Sequence, residues 1–534
     1  MPKLLDAITL EIVWTRLIST VDEAAKVIVR TSFSTLSNEA NDFACVLTDA
    51  NGHSLAQNTA AIPSFIGCLP ATVRHFLARM GSEKMCPGDV LITNNPWDAT
   101  GHLNDISLVK PIFRNGRIVA FAASTSHVPD IGGRVRSVEP REIYEEGFHI
   151  PLMHFIREGV PDETLIQLLR TNVRTPDQTM GDVWAQASAL GVIEARLLAT
   201  MDDYALDDLG AFADDLFSRS EAAMRAAIRT VPPGTYRYAM RTDGLEQPFE
   251  FQVAVTIDGD EATFDYTGTS PQQPRAINCV LAYTFAMSAY ALKCALLPNL
   301  ANNEGVLRPI KVIAPEGSLL NPKFPASVGG RSATGHYVPA IIFGALHQAI
   351  PKKVMAAPGS PLWIFTLAGL GADEKPFATV LFYNGGLGGR AAGDGVSVIS
   401  WPSNISSTPV EVAESSGRLF FHEKSLRPGS GGAGHARGGL GQRIEIESLS
   451  ERQMSAWFVT ERTKFGAPGI GGGGDGAKGR VAINGEAIDT RRMHLLEKGH
   501  RVTIETPGGG GYGDLAARSE AAKARDRAMG YAGT

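Results

Sequence analysis

The chain lacks the features that would place it in several large classes at once. No apolar run approaches the ~20 residues needed to span a bilayer. Its five cysteines (Cys45, Cys68, Cys86, Cys279, Cys294) are scattered, odd in number and without a CxxC pair, which argues against a disulfide framework and a zinc ribbon. Neither sign of charge dominates: 50 Lys+Arg against 56 Asp+Glu leave a formal net charge of −6. Nothing electrostatic therefore points to nucleic acid or an anionic membrane as partner. There is no GxSxG elbow and no internal repeat. The N-terminus "MPKLLDAITLEIVWTRL" carries acids among its apolar residues and no small-residue cleavage site. It reads as an amphipathic helix and not a secretion signal. These absences together predict a cytoplasmic, globular protein.

What is present is a chain of 534 residues, 44% hydrophobic, too long for one ordinary core. The pattern predicts a multidomain α+β protein in five segments. Residues 1–160 open with a helix over 8–33 and turn to β structure, with hairpins at Asn51-Gly52 and Asn115-Gly116. Residues 161–232 are Ala- and Leu-rich at helical spacing, 233–355 mix strands and helices, and 356–516 are β-rich and glycine-containing. Residues 517–534 form a terminal helix and tail. The glycine clusters "GSGGAGHARGGLG", "GAPGIGGGGDGAKGR" and "TPGGGGYGD" tempt a phosphate-binding reading. None fits G-x-x-x-x-G-K-[ST], since Lys478 is followed by Gly479. They predict tight turns and close backbone packing, and no ATP on this chain.

The stretch "GHLNDISLVKPIFRNGRIVAFAASTSHVPDIGG" carries the strongest chemical signal. A two-residue loop at Asn115-Gly116 pairs Arg114 with Arg117. Counting outwards brings Asp105 to within one position of His127, at the open end of the hairpin. His102, three residues before Asp105, reaches the same point if the chain bends at Gly101. Two imidazoles and a carboxylate form a three-ligand set that leaves metal positions open. On spacing alone, local hydrogen bonding by each residue stands beside this reading. Asp42, in "SNEANDFACVL", opens another predicted strand and could add a second carboxylate. Glu145 and Glu146 in "IYEEG" could supply a base, with a solvated acidic face as the alternative. His149 and His154 read as packing or surface residues.

Several runs then resemble one family, hydantoinase B/oxoprolinase: "SNEANDFACVLTDANGHSLAQ", "NNPWDATGHLNDISLVKPIFRNGRIVAFAASTSHVPDIGGR", "FDYTGTSPQ", "RPIKVIAPEGSLLNPKFPASVGG", "GGAGHARGGLGQ" and "TPGGGGYGD". They follow the family's order and cover nearly the whole chain. The resemblance implies a hetero-oligomer in which a separate A-type subunit binds ATP and Mg and phosphorylates a substrate carbonyl. The B-type chain carries a divalent metal (Mn, Zn, Fe or Mg). Residue by residue, the resemblance puts the ligands at Asp42, His102, Asp105 and His127. The chain departs from many relatives at Trp97, where Tyr is frequent, and at Gly101, where Thr precedes the first His. "TSHV" has one His where some members have two. These changes surround the metal and leave the substrate open, with Asn95, Trp97 and Gly101 as candidate substrate contacts.

The function so implied is ATP-dependent opening of a small cyclic amide (hydantoin, 5-oxoproline or another lactam), with metal-bound water completing the reaction after the partner has phosphorylated the carbonyl. Asp130 is expected to orient His127, and Glu145 or Glu146 to shuttle a proton. Two alternatives are carboxylation of a ketone with bicarbonate, and a non-catalytic scaffold for the A-type subunit.

Overall fold

The computed structural model describes residues 6–370 and 374–533. Residues 1–5, which begin the stretch read as amphipathic, and the last residue of the tail lie outside them. The described part of that helix, α1 (Ala7–Thr31), starts where the Asp6 carboxylate accepts from the free Ile8 and Thr9 amides. It buries Leu10, Val13, Trp14, Leu17, Val21, Ala24 and Ile28, which fall on one face of the helix.

That face packs against a seven-stranded antiparallel sheet: β1 (Phe43–Asp49), β2 (Ser54–Gln57), β3 (Val90–Thr93), β4 (Asp105–Arg114), β5 (Arg117–His127), β6 (Met153–Arg157) and β7 (Val160–Pro161). The spatial order is β2-β1-β5-β4-β3-β6-β7, so the hairpin β4–β5 is central. The three helices expected in the middle segment form at Glu163–Asn172, Pro176–Asp203 and Gly210–Ile228. The second lies on β4 and β5 and on α1.

The Asn115-Gly116 turn has positive φ at both residues, 50° and 74°, as a tight two-residue hairpin turn of this hand requires. Pairing starts at Arg114↔Arg117 and Phe113↔Ile118 and then jumps to Ile112↔Ala120, leaving Val119 as an extra residue. The bulge supplies the one position by which simple counting missed, and Asp105 lies directly opposite His127. The Asn51-Gly52 hairpin forms with a longer loop, held by the Asp49 carboxylate on the Asn51 and His53 amides.

Strands 234–242, 249–258, 261–265 and 310–313 make a second sheet, antiparallel except for its last, parallel pair. One hydrophobic cluster runs from Leu10 to Ala467, taking residues from each of the first four expected segments. A separate core, with Trp363, Phe365, Phe458, Ile444 and Ile504, fills the space between two C-terminal sheets of four and five strands.

The glycine clusters turn at Gly429, Gly471, Gly472 and Gly513, which have positive φ, and pack closely between those points. Gly386, Gly439, Gly509 and their neighbours run as extended segments without a regular ladder. Amides of one segment donate to carbonyls of the next, as in Gly439 N to Leu387 O (2.7 Å) and Gly509 N to Gly439 O (3.0 Å). A Cβ on Gly509 would stand 2.1 Å from the Leu387 carbonyl, and one on Gly438 1.9 Å from that of Gly509. Close backbone packing, and not positive φ, is what demands glycine there.

Candidate metal centre

The site forms where β1, β4 and β5 end together. Asp105 is the first residue of β4 and His127 the last of β5. Asp42 precedes β1, and its carbonyl accepts from the His127 amide at 3.0 Å. His102 sits on the loop entering β4, where Gly101 has φ +108° and a Cβ would strike Val280 and Arg331 at 2.9 and 3.0 Å. Only glycine lets the chain bend there and lets Arg331 approach.

Asp105, fully buried, is the hub. Its Oδ1 lies 2.8 Å from His102 Nε2 and 3.3 Å from His127 Nδ1. Its Oδ2 accepts from Thr100 Oγ1 at 2.7 Å and from Arg331 Nη2 at 2.5 Å. Among the described residues, His102, Asp105 and His127 are the one group of His, Cys, Asp or Glu close enough to share an ion, and all three are buried. Asp42 lies beside that group and not in it, with Oδ2 3.8 Å from His127 Nδ1. Burial pushes its carboxyl up, opposed by His127 and the nearby guanidiniums.

Two arginines that sequence patterns did not single out complete the site. Arg331 lies over the Tyr283 ring at 4.9 Å while gripping Asp105. Arg136 Nη1 stands 3.1 Å from His127 Nε2. Burial lowers the affinity of both for their protons, opposed by Asp42. His336, also buried, is depressed to about 3 by desolvation and by these two cations. The resemblance segment "FPASVGG" stops one residue short of Arg331, so the signal available was an arginine behind two glycines in an apolar run.

The other candidates are placed elsewhere. Asp130 is held by the Gly132 amide and by Arg174, whose Nη1 lies 2.6 Å away. It makes no bond to His127. Glu146 is buried, and one of its oxygens accepts from Ser327 Oγ and from the Val328 and Gly329 amides. It thereby fixes the loop that carries Arg331. Desolvation raises it to about 7, against those three bonds. Glu145 pairs with Arg134 at 3.1 Å and lines a cleft of about 1190 Å³. Val138, on that cleft's wall, accepts from the Ala276 amide, and the Ala276 carbonyl accepts from the amide of Gly330, the residue before Arg331. Asn95 caps its own turn and holds Asp98. Trp97 donates to the Pro322 carbonyl and meets Phe324 edge-on. His154 pairs with Asp89.

Residues 6–515 match the hydantoinase B/oxoprolinase family. The chain belongs to that family. The family relationship extends to the caprolactamase subunit beta of Pseudomonas jessenii, 31% identical over 95% of this chain and 91% of that one. The 5-oxoprolinase 1 of Arabidopsis thaliana is 28% identical over 95% of this chain, which spans 42% of its length. The crystal structure of ATP-dependent caprolactamase from P. jessenii superposes with a TM-score of 0.90 at 29% identity, covering 99% of this chain and 95% of that chain. A nucleotide-free acetone carboxylase structure shares the fold, with a TM-score of 0.90 at 18% identity over 99% of this chain and 79% of that one. A hydantoinase B/oxoprolinase fold thus carries the cluster, and no helix among its described residues is long and apolar enough to cross a membrane.

Proposed function

We propose that this chain is the metal-holding subunit of an ATP-dependent cyclic amidase acting on a small lactam or hydantoin, assembled with a separate ATP-binding A-type subunit. The observation that carries this is the convergence of His102 Nε2, Asp105 Oδ1 and His127 Nδ1 in one buried cluster, in a chain related along its length to a caprolactamase subunit.

The residues fit a divalent metal. Two imidazoles and a carboxylate suit Mn, Zn, Fe or Mg in an open site, and His102 Nδ1 is buried without a partner, a sign of an arrangement incomplete as it stands. His102, Asp105 and His127 would hold the ion, with Asp42 the acid placed to join them. Such an ion acts as a Lewis acid and brings the pKa of water from 15.7 to about 7. The protein's own part is orientation. Arg331 and Thr100 fix the Asp105 carboxylate, Glu146 fixes the loop behind Arg331, and Gly101 lets that loop close. Of the two glutamates, Glu145 lies on the cleft, which supports it over the buried Glu146 as the candidate to exchange a proton with solvent.

Asp105→Asn in the reconstituted complex tests the reading. It should abolish bound metal by elemental analysis and reduce lactam-stimulated ATP turnover by at least ~100-fold, in the range typical for loss of an electrostatic device. Full activity without metal would leave only a scaffold. Turnover stimulated by a ketone with bicarbonate, and by no lactam, would make the chain a carboxylase subunit instead.

A further inference from the structure

Away from the metal centre, one surface runs against the charge of the chain as a whole, which is −6. The cleft of about 1190 Å³ that holds Glu145 sets six Lys or Arg side chains against four Asp or Glu. Arg134 is taken up by Glu139 and Glu145, and Arg492 by Asp489. Arg141, Arg275, Lys464 and Arg491 line the same walls and form no ion pair among the described residues. Of the cleft's acids only Glu246 is left to answer them. The four cations come from separate stretches of sequence, so the fold has gathered them and no local charge run explains them. Such a cluster focuses a positive field on whatever enters the cleft.

A second cavity, of about 530 Å³, adjoins the first and shares Arg134 and Glu139 with it. Its far wall is the face of the four-stranded C-terminal sheet turned away from that sheet's own core. On the strand Trp363–Leu370, Phe365 and Leu367 fill the core. Ala368 and Leu370 line the cavity instead, together with Trp457 and Met493. Leu370 and Met493 are 37% and 44% exposed. The two cavities make one trough with a cationic end and an apolar end. Protein interfaces are enriched in arginine, methionine and aromatic side chains and depleted in lysine. Lys464 is the one lysine among the described residues of either wall. The cleft alone exceeds the ~300–1,000 Å³ usual for a small-molecule site.

We infer that this trough is the docking surface for the A-type partner subunit, which brings an acidic segment to the cleft and an apolar side chain to Leu370, Trp457 and Met493. Carboxylates of the segment supply the counter-charges that Arg141, Arg275, Lys464 and Arg491 lack. The inference rests on the assembly stated under the proposed function and adds the surface on which it forms. Interfaces of this polarity hold ordered water, so Glu145 keeps its exchange with solvent.

The test is the binding kinetics of the full chain with the A-type subunit at about 0.01 M and 1 M salt, where charges are screened beyond ~30 Å and ~3 Å. Association should slow at least ~10-fold at the higher salt. Arg141→Glu combined with Arg491→Glu should slow it as much at low salt and leave bound metal unchanged, while the two Arg→Lys changes should keep most of the rate. Trp457→Ala should speed dissociation by ~10-fold or more, as loss of an aromatic anchor does. Arg117→Glu, at the exposed far tip of the β4–β5 hairpin, should change neither rate. In the wild-type complex, backbone amides of residues 134–141 and 489–493 should exchange hydrogen more slowly than in the free chain, a readout that needs no variant. Absence of that protection, reversals without effect, or an equal effect of Arg117→Glu would each overturn the inference and leave the metal-holding reading intact. Dimers of this chain alone that the reversals dissolve would make the occupant a second copy and overturn the choice of partner. Failure of the wild type to bind the A-type subunit at any salt would overturn both the inference and the assembly it rests on.

Discussion

Glu146 illustrates what one buried carboxylate does to stability. Its proton is held more tightly folded, at about 7, than in an unfolded chain at 4.5. The folded state therefore binds more protons between those values, and stability falls as pH rises through that window. The shift corresponds to at most roughly 3 kcal/mol. Glu146→Gln keeps Oε1 as acceptor for its three donors and removes the titration. Its unfolding free energy should drop less than the wild type's between pH 5 and pH 8, by up to that amount. Parallel denaturation curves would show that Glu146 is not the group responsible. At this scale the triad was legible because ligand chemistry and turn chemistry are both local. Arg331 was not, since it meets Asp105 across 226 residues and no spacing rule reaches so far. Asp130 misled for the same reason: its proximity to His127 in sequence was outweighed by Arg174, 44 residues on.

Among the elements, helices and hairpins followed their periodicities, and the hairpin register was off only by the Val119 bulge, which leaves no mark in the composition. The glycine segments show the opposite case. Their composition was plain, yet their arrangement depends on chains that meet only in three dimensions. Gly509→Ala would push a methyl against the Leu387 carbonyl at 2.1 Å and should cost several kcal/mol, of the order of a severe core lesion. Gly191→Ala, inside the helix Pro176–Asp203 with nothing within 4 Å of the new Cβ, should stabilise by about 0.5–1 kcal/mol. Thermal melting of the two variants side by side checks both. Equal melting points would mean that the glycine segments are looser than their bonds imply.

For the whole molecule, metal removal gives the simplest measurement. An ion present at a hundred times its Kd adds about 2.7 kcal/mol to stability by mass action. A chelator should lower the melting temperature of the wild type by a few degrees and leave Asp105→Asn unmoved. An equal shift in both would place the stabilising ion elsewhere. The α+β class could be read along the chain, because each element's pattern is its own. The sharing of one hydrophobic cluster by residues from Leu10 to Ala467 could not, since packing partners leave no trace in each other's sequence.

The grip of Arg331 on Asp105 also sets an order of events at the ribosome. At about 5–20 residues per second, the arginine emerges roughly 10–45 s after the aspartate it neutralises. Through that interval the nascent hairpin carries Asp105 without its counter-charge, so its end must stay open to water. A polypeptide released before residue 331 would hold the three ligands and still be unable to close around them.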